Sequence, residues 1–260
     1  MVARPKPGVV ETWLNARGGL AIALGGGGAL GAAHVGVLEV LDEYGIHPPI
    51  VVGTSAGAII GGAYAAGINP HGLGKLVRKA TWANFAIFTP KPRIGILDTA
   101  GLLKTIDELG GDRLIEDLPV RFGAVATDVK TRKAVVFTSG SIGTAICASI
   151  AVPGIFAPVK RDGRWYVDGG VAANLPIQAA LDLGGTHIIA VRACHEWDIL
   201  HPKKVERELA ALERLPNVTM IRPRLEGYAQ WSRRDVSELV RRGREAAEAV
   251  VAGNDRDRSH

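Results

Sequence analysis

GGLAIALGGGGALGAAHVGVLEVLDEYG (residues 18–45) and PIVVGTSAGAIIGG (49–62) are the stretches whose reading decides the fold. In the first, LAIAL is short, continuously apolar and β-compatible, and Gly25 to Gly28 break it. A helical pattern follows, with Leu30, His34, Val37, Leu38, Leu41 and Tyr44 along one face and Gly45 as a stop. In the second, PIVV reads as another buried strand. The small residues after Ser55 read as a helix ending near Gly67. Strand, helix, strand, helix in this order predicts a parallel sheet with helices packed on it. The order also bears on membrane insertion. Gly18 to Leu38 carries no Asp, Glu, Lys or Arg, and the span is long enough to cross a bilayer. Four successive glycines would weaken a helix by about 1 kcal/mol each relative to alanine, so strand, turn and helix explain the segment better.

Gly53-Thr54-Ser55-Ala56-Gly57 is a Gly-x-Ser-x-Gly sequence between an apolar strand and a helix. That context fits a sharp strand-to-helix turn that lifts a serine hydroxyl above the sheet edge. Gly53 and Gly57 keep the flanks small, and the helix N-terminus points partial positive charge at the serine. Gly26-x-Gly28-x-x-Gly31 offers a rival, because it matches a dinucleotide fingerprint. That fingerprint also needs an acid about 20 residues on, at the end of the second strand. Here the second strand ends in Gly53 and Ser55, so the dinucleotide reading lacks its other half. The glycine turn makes better sense as an oxyanion hole, in which the N–H groups of Gly26, Gly27 and Gly28 face developing negative charge. Parallel strands joined by a right-handed crossover bring both turns to one sheet edge. Neighbouring strands lie about 4.8 Å apart, so the glycine turn and Ser55 can face one carbonyl.

The rest of the 260 residues continues in the same style, with 47% apolar content, enough for a large core. FGAVATDV and KAVVFTS read as strands joined by a Lys-Thr-Arg turn, SIGTAICASIA as a helix stopped by Pro153, and RWYV as a strand ending at Asp168-Gly169-Gly170. LPIQAALDLG reads as a helix. THIIAV and NVTMI read as strands separated by an amphipathic helix around 203–215, and a last helix covers about 235–252. Residues 70–118 lack a regular pattern. Within them Trp82, Phe85, Ile87, Phe88, Ile94, Ile96 and Leu97 lie among prolines, as either a core-covering loop or a segment that lines the acyl entrance or touches the membrane. The net charge of +5 favours anionic surfaces without specifying one. RRDVSELVRRGREAAE alternates acids with its arginines and reads as a solvated helix face. The chain shows no basic run interleaved with aromatic rings, which argues against nucleic-acid binding. Two cysteines make no disulfide framework, and no metal-ligand cluster or cofactor motif stands out. The N-terminus lacks a signal-peptide layout, so a cytoplasmic protein is expected.

A nucleophilic serine needs a base. None of the seven histidines sits in a context that singles it out. His195 and His201 follow a strand late in the chain, and His34 reads as a packing residue on the first helix. Asp168 ends a strand on a tight Asp-Gly turn, although such turns are common for purely structural reasons. Trp165, Tyr166 and Val167 beside it suggest an apolar setting that raises its pKa and strengthens it as a base.

Together, GGGALG, GTSAG, ASIAVPGIFAPV (148–159) and DGG followed by Asn174 and Pro176 resemble the patatin-like phospholipases. The order and spacing match from about residue 19 to 185. WSRRDVSELVRRGREAA also looks like the ending of bacterial members. The resemblance implies a three-layer α/β/α sandwich with a mostly parallel central sheet. It also implies a Ser55–Asp168 dyad without histidine, and oxyanion donors from Gly26 to Gly28. Gly31, Gly53, Gly57, Gly169 and Gly170 support the motifs. Many bacterial members carry a basic residue where this chain has Leu30, so Leu30→Arg is expected to strengthen the oxyanion hole.

The expectation is one domain over residues 1–253 with a tail at 254–260. It would be a serine acyl hydrolase of lipid esters that needs no metal or cofactor and can touch an anionic membrane surface. The sequence leaves the oligomeric state open. An acyltransferase that passes the acyl group to an alcohol or thiol is the alternative. A catalytically weak lipid-binding or regulatory protein is a further one.

Overall fold

A computed structural model describes residues 8–79, 87–88, 97–98, 113–193, 203–228 and 236–253. The strands of the main sheet are β1 (Leu20–Leu24), β2 (Ile50–Thr54), β3 (Arg121–Asp128), β4 (Ala134–Phe137), β5 (Val159–Arg161), β6 (Arg164–Asp168), β7 (His187–Val191) and β8 (Val218–Ile221). The helices are α1 (Val9–Asn15), α2 (Ala33–Glu43), α3 (Ala56–Ala65), α4 (Pro70–Lys79), α5 (Ile142–Ser149), α6 (Ile177–Asp182), α7 (Lys203–Glu213) and α8 (Val236–Val251).

The sheet runs β8-β7-β1-β2-β3-β6-β5, and β4 pairs with β3. β8, β7, β1, β2 and β3 are mutually parallel, whereas β4, β5 and β6 enter antiparallel. Alternate residues of the central strands feed two cores. Ile22, Leu24, Val51, Phe122 and Ala124 share one with α2, α3, α5 and α8. Ala21, Ala23, Ile50, Val52 and Val125 share the other with α6 and α7. A sheet covered on both faces needs apolar residues at every position, which is why LAIAL shows no alternation. This is the expected α/β/α layering, with a mixed rather than simply parallel sheet.

One register detail positions everything that follows. β2 pairs with β3 from Arg121 to Val125, and β6 pairs with β3 from Ala126 to Asp128. β4 pairs with residues 124–127 of β3 and so occupies the opposite edge. β2 and β6 therefore share one edge of β3 and meet end to end at Val125 and Ala126. The last residue of β6 is Asp168, and the residue after β2 is Ser55.

Several elements depart from the expected pattern. The first helix opens with a 3-10 turn over Gly28–Ala32 before α2 begins. Residues 70–79, read as irregular, form α4, and Val9–Asn15 forms α1 with Trp13 buried. α8, as expected, is solvated on one face and buries Leu239, Val240, Ala247 and Val250 on the other. A Cβ on Gly36 would lie 1.9 Å from the Val240 carbonyl oxygen, and one on Gly243 1.9 Å from that of Ala33. Glycine thus lets α2 and α8 touch backbone to backbone. Arg244 clamps the pair through two 2.8 Å bonds to Glu43. No helix among the described residues is long and apolar enough to cross a membrane. The tail at 254–260 lies outside the described residues. So do the side chains of the apolar segment 82–97, where the backbone of Ile87–Phe88 pairs with Leu97–Asp98.

Candidate active site

Ser55 stands at the strand-to-helix junction with φ 53° and ψ −119°. This left-handed setting is costly for a residue with a Cβ and persists only where surrounding contacts over-determine it. Those contacts are visible. The Ser55 N–H donates to Ser149 Oγ at 2.8 Å, and that hydroxyl donates to the Val125 carbonyl at 2.6 Å. Val125 is level with Thr54, where β3 exchanges one neighbour for the other. Ser149 is wholly buried and bolts the bend to the strand junction. On the other side, Thr54 Oγ1 donates to the Ala173 carbonyl at 2.9 Å. The bend also needs its glycines. A Cβ on Gly57 would sit 2.1 Å from the Leu24 carbonyl oxygen, and one on Gly53 2.3 Å from that of Gly57.

Asp168 is 2% exposed. Its N–H donates to the Ala151 carbonyl, and its own carbonyl accepts from Thr127 Oγ1, each at 2.9 Å. Oδ1 accepts the Gly170 N–H at 2.6 Å. Oδ2 is buried and has no hydrogen-bond partner among the described residues. Burial pushes the carboxyl up to about 6, against the lowering effect of the Ser55 hydroxyl and the Gly170 amide. The Ser55 hydroxyl is near enough to stabilise the carboxylate. The two do not meet full hydrogen-bond geometry, which leaves Oδ2 an open acceptor. A group of this kind is a stronger base than a solvated aspartate and is still mostly ionised at pH 7.

The glycine turn closes the third side. A Cβ on Gly26 would stand 3.4 Å from the Ser55 Cβ, so the turn faces the serine. Its amides are not equivalent. Gly25 N–H donates to the Val191 carbonyl at 3.0 Å, and Gly26 N–H to that of Asn174 at 3.1 Å. Gly26 therefore cannot also donate to an oxyanion, which corrects the expected donor set. Gly27 and Gly28 donate to no carbonyl among the described residues, and neither does Ala56 at the start of α3. Helix starts leave such amides open by construction.

His34 reaches the same turn from α2. Its Nε2 lies 2.7 Å from the Gly25 carbonyl oxygen, which can only accept, so Nε2 carries the proton. Burial pushes the imidazole down to about 4, so it is neutral near pH 7. His34 braces the turn in addition to filling space.

Other expectations meet the structure less well. Leu30 is 4% exposed within the larger core, so an arginine there would bury a charge instead of serving the turn. Trp165 is 51% exposed and points away from the apolar interior that holds its neighbour Tyr166, so it does not desolvate Asp168. His195 and His201 lie outside the described residues. Ser149 and Asn174 fall within motifs noticed in the sequence, but no local signal gives them their roles. Only the three-dimensional junction does.

The site thus has a strained serine on a bend, a buried aspartate and open amides at a glycine turn. Comparison with known proteins gives this arrangement a family. The patatin-like phospholipase model matches residues 22–181, and the chain belongs to that family. An uncharacterized NTE family protein of Mycobacterium tuberculosis is 36% identical over 195 residues, covering 72% of this chain and 52% of that protein. Lysophospholipase nte1 of Emericella nidulans is 35% identical over 175 residues, covering 65% of this chain and 12% of that protein. The chain therefore spans about half the length of the mycobacterial relative and a small part of the fungal one. Among solved structures, VipD from Legionella pneumophila superposes with a TM-score of 0.58 at 14% identity, covering 90% of this chain and 66% of that one. That likeness supports the α/β architecture.

Proposed function

We propose that the protein hydrolyses acyl esters of lipids through a dyad of Ser55 and Asp168. The observation that carries the reading is the unpartnered, buried Oδ2 of Asp168 beside a serine held in a strained bend. Ser55 Oγ attacks the acyl carbonyl carbon while its proton passes to Asp168 Oδ2. The oxyanion of the tetrahedral intermediate takes hydrogen bonds from Gly27 and Gly28, with Ala56 at the start of α3 as a further donor. Collapse expels the alcohol, which leaves with the proton held by Asp168, and an acyl-serine remains. Water then attacks the acyl carbon as Asp168 takes its proton, and collapse releases the fatty acid while Asp168 returns that proton to Ser55 Oγ. Gly53, Gly57 and Gly169 leave room where backbone passes close, Gly31 leaves room for the Ala56 methyl, and Gly170 lies against Asp168 and donates its N–H to Oδ1. Family membership and the lysophospholipase name of the fungal relative support a lipid ester as substrate.

The test is active-site labelling joined to turnover. A fluorophosphonate should modify Ser55 alone, and a fatty-acyl p-nitrophenyl ester should be hydrolysed by wild type. Modification elsewhere, or retained turnover in Ser55→Ala, would overturn the assignment.

A further inference from the structure

Two hairpin turns stand beyond the sheet edge that carries Ser55. β3 is level with Thr54 at Val125 and runs three residues further before it turns. At about 3.3 Å per residue, its end rises roughly 10 Å above the serine bend. The β5–β6 hairpin reaches the same height, because the Val129 N–H donates to the Trp165 carbonyl at 2.9 Å and Lys160 is level with Trp165.

These turns are apolar and cationic at once. Val129 is 46% exposed and Trp165 51%. Lys160 Nζ lies 5.7 Å from the centre of the Trp165 ring. Residues 128–133 and 159–166 hold six cations, Lys130, Arg132, Lys133, Lys160, Arg161 and Arg164, and two carboxylates, Asp128 and Asp162. Their net charge is thus +4, against +5 for the whole chain. Both carboxylates are engaged within the turns, Asp128 by Thr131 and Arg164 and Asp162 by Arg161. Lys130, Arg132 and Lys133 form no ion pair among the described residues.

We infer that this double-hairpin tip docks on an anionic lipid bilayer. Trp165 and Val129 enter the interface and Lys130, Arg132, Lys133 and Lys160 meet the headgroups, while Arg161 is held against Phe137 and the Ser139 carbonyl and Arg164 is paired with Asp128. The placement presents the Ser55 edge to the membrane, and its purpose rests on the hydrolase reading above. Tryptophan beside lysine and arginine suits the boundary between water and hydrocarbon. Each juxtamembrane cation adds roughly fivefold to binding at an anionic surface. A single-stranded nucleic acid fits less well, because Trp165 is the one exposed ring of these two turns, and strand binding uses successive stacking rings.

Flotation with vesicles tests docking without turnover, using the Ser55→Ala protein so that lipid is not consumed. It should float with vesicles of equal phosphatidylglycerol and phosphatidylcholine and stay behind with phosphatidylcholine alone. Salt at 0.5 M, which the test itself sets, should release it, since screening then acts within about 4 Å. Lys130→Glu/Lys133→Glu should weaken binding on the order of 100-fold, and Trp165→Ala should weaken it about tenfold. In the Ser55 background, both sets of changes should leave turnover of a short soluble ester and the unfolding temperature near wild type. Equal binding to both vesicles, no binding to either, or hairpin variants that bind like the parent would overturn the inference. Competition by an oligonucleotide as strong as by anionic vesicles would overturn it in favour of nucleic acid. Loss of soluble-ester turnover in wild type would instead sink the hydrolase reading and leave docking standing.

Discussion

Asp128 and Asp168 end two strands that are paired with each other, and both side chains are buried. Their fates are opposite. Asp128 Oδ1 accepts the Thr131 N–H at 2.8 Å and the Thr131 hydroxyl at 3.1 Å, and Arg164 lies 3.4 Å from its Oδ2. The Thr131 amide above all, with the Thr131 hydroxyl, Lys130 and Arg164, holds this carboxyl below the usual range despite its burial. Asp168 has one oxygen tied to Gly170 and the other without a partner among the described residues, and burial raises it to about 6. They differ in satisfaction as well as in depth, since Asp128 closes a hairpin turn near the surface whereas Asp168 lies inside and is raised chiefly by its burial. A carboxylate whose acceptor sites are filled builds a turn, and one left a free lone pair can take a proton.

The strongest way to break this comparison is to remove the group that Asp168 serves. Ser55→Ala should lower kcat/KM on a soluble fatty-acyl ester by roughly 10⁴-fold or more, with an unfolding temperature at or above wild type. The bend would keep its bonds to Ser149, because they use the backbone of residue 55. A residual rate within tenfold of wild type would mean that another group is the nucleophile.

Asp168→Asn keeps the acceptor for Gly170 and removes the basicity. It should reduce kcat by about 10²- to 10⁴-fold. In wild type, kcat/KM should rise with pH through a midpoint near 6, since the base must be ionised. Stability should move the other way. The folded carboxyl has a raised pKa, so its favourable contribution is present below pH 4 and lost as pH rises through 6. A shift of about two units corresponds to roughly 3 kcal/mol. Asp168→Asn should therefore unfold at a higher temperature than wild type at pH 7.5, and the two should converge toward pH 4. A variant that is inactive yet no more stable at pH 7.5 would show that Asp168 is not an uncompensated buried charge.

Ser149→Ala tests the bolt between the two strand ends. It leaves the Ser55 N–H and the Val125 carbonyl without their partner, at a cost of about 2 kcal/mol in stability. Turnover should fall by roughly 10- to 100-fold through kcat, because the nucleophile is displaced while the acyl site is untouched. A variant that loses stability but keeps kcat would mean that the bend holds its geometry without Ser149.

What the sequence made legible follows the same division. The turns after β1 and β2 could be placed together from sequence, because parallel topology alone brings successive strand ends to one edge. Asp168 could not be placed that way. Its approach depends on β6 running antiparallel along the unused half of a β3 edge, and nothing local in RWYVDGG encodes that pairing. The strand-end Asp-Gly turn drew attention to the residue, family resemblance gave it the role of base, and the register supplies the reason. Likewise, Gly26 looked equivalent to Gly27 and Gly28 until the Asn174 carbonyl, far along the chain, took up its N–H. Leu30 looked like an electrostatic position until packing put it in the core. Gly36 and Gly243 are ordinary letters in two amphipathic helices, and their purpose exists only where α2 meets α8. Period and punctuation reach as far as the neighbouring element. Edge sharing, carbonyl capture and helix contact are long-range facts.

The smallest effect falls on the aspartate that is satisfied. Asp128→Asn should leave kcat within about twofold of wild type, because its oxygens face Thr131 and Arg164 rather than Ser55. Its signature is the sign of its pH dependence. A carboxyl held low in the folded state adds stability above its unfolded pKa of about 3.9, and that stability is lost as pH falls through the folded value. Wild type should therefore unfold a few degrees above Asp128→Asn at pH 7, with the gap closing in acid. For Asp168→Asn the gap at pH 7 has the opposite sign. Unfolding temperatures of the three proteins between pH 3 and pH 8 place both aspartates on one plot. If Asp128→Asn were as inactive as Asp168→Asn, or more stable than wild type at pH 7, filled acceptor sites would not be what separates a structural carboxylate from a basic one.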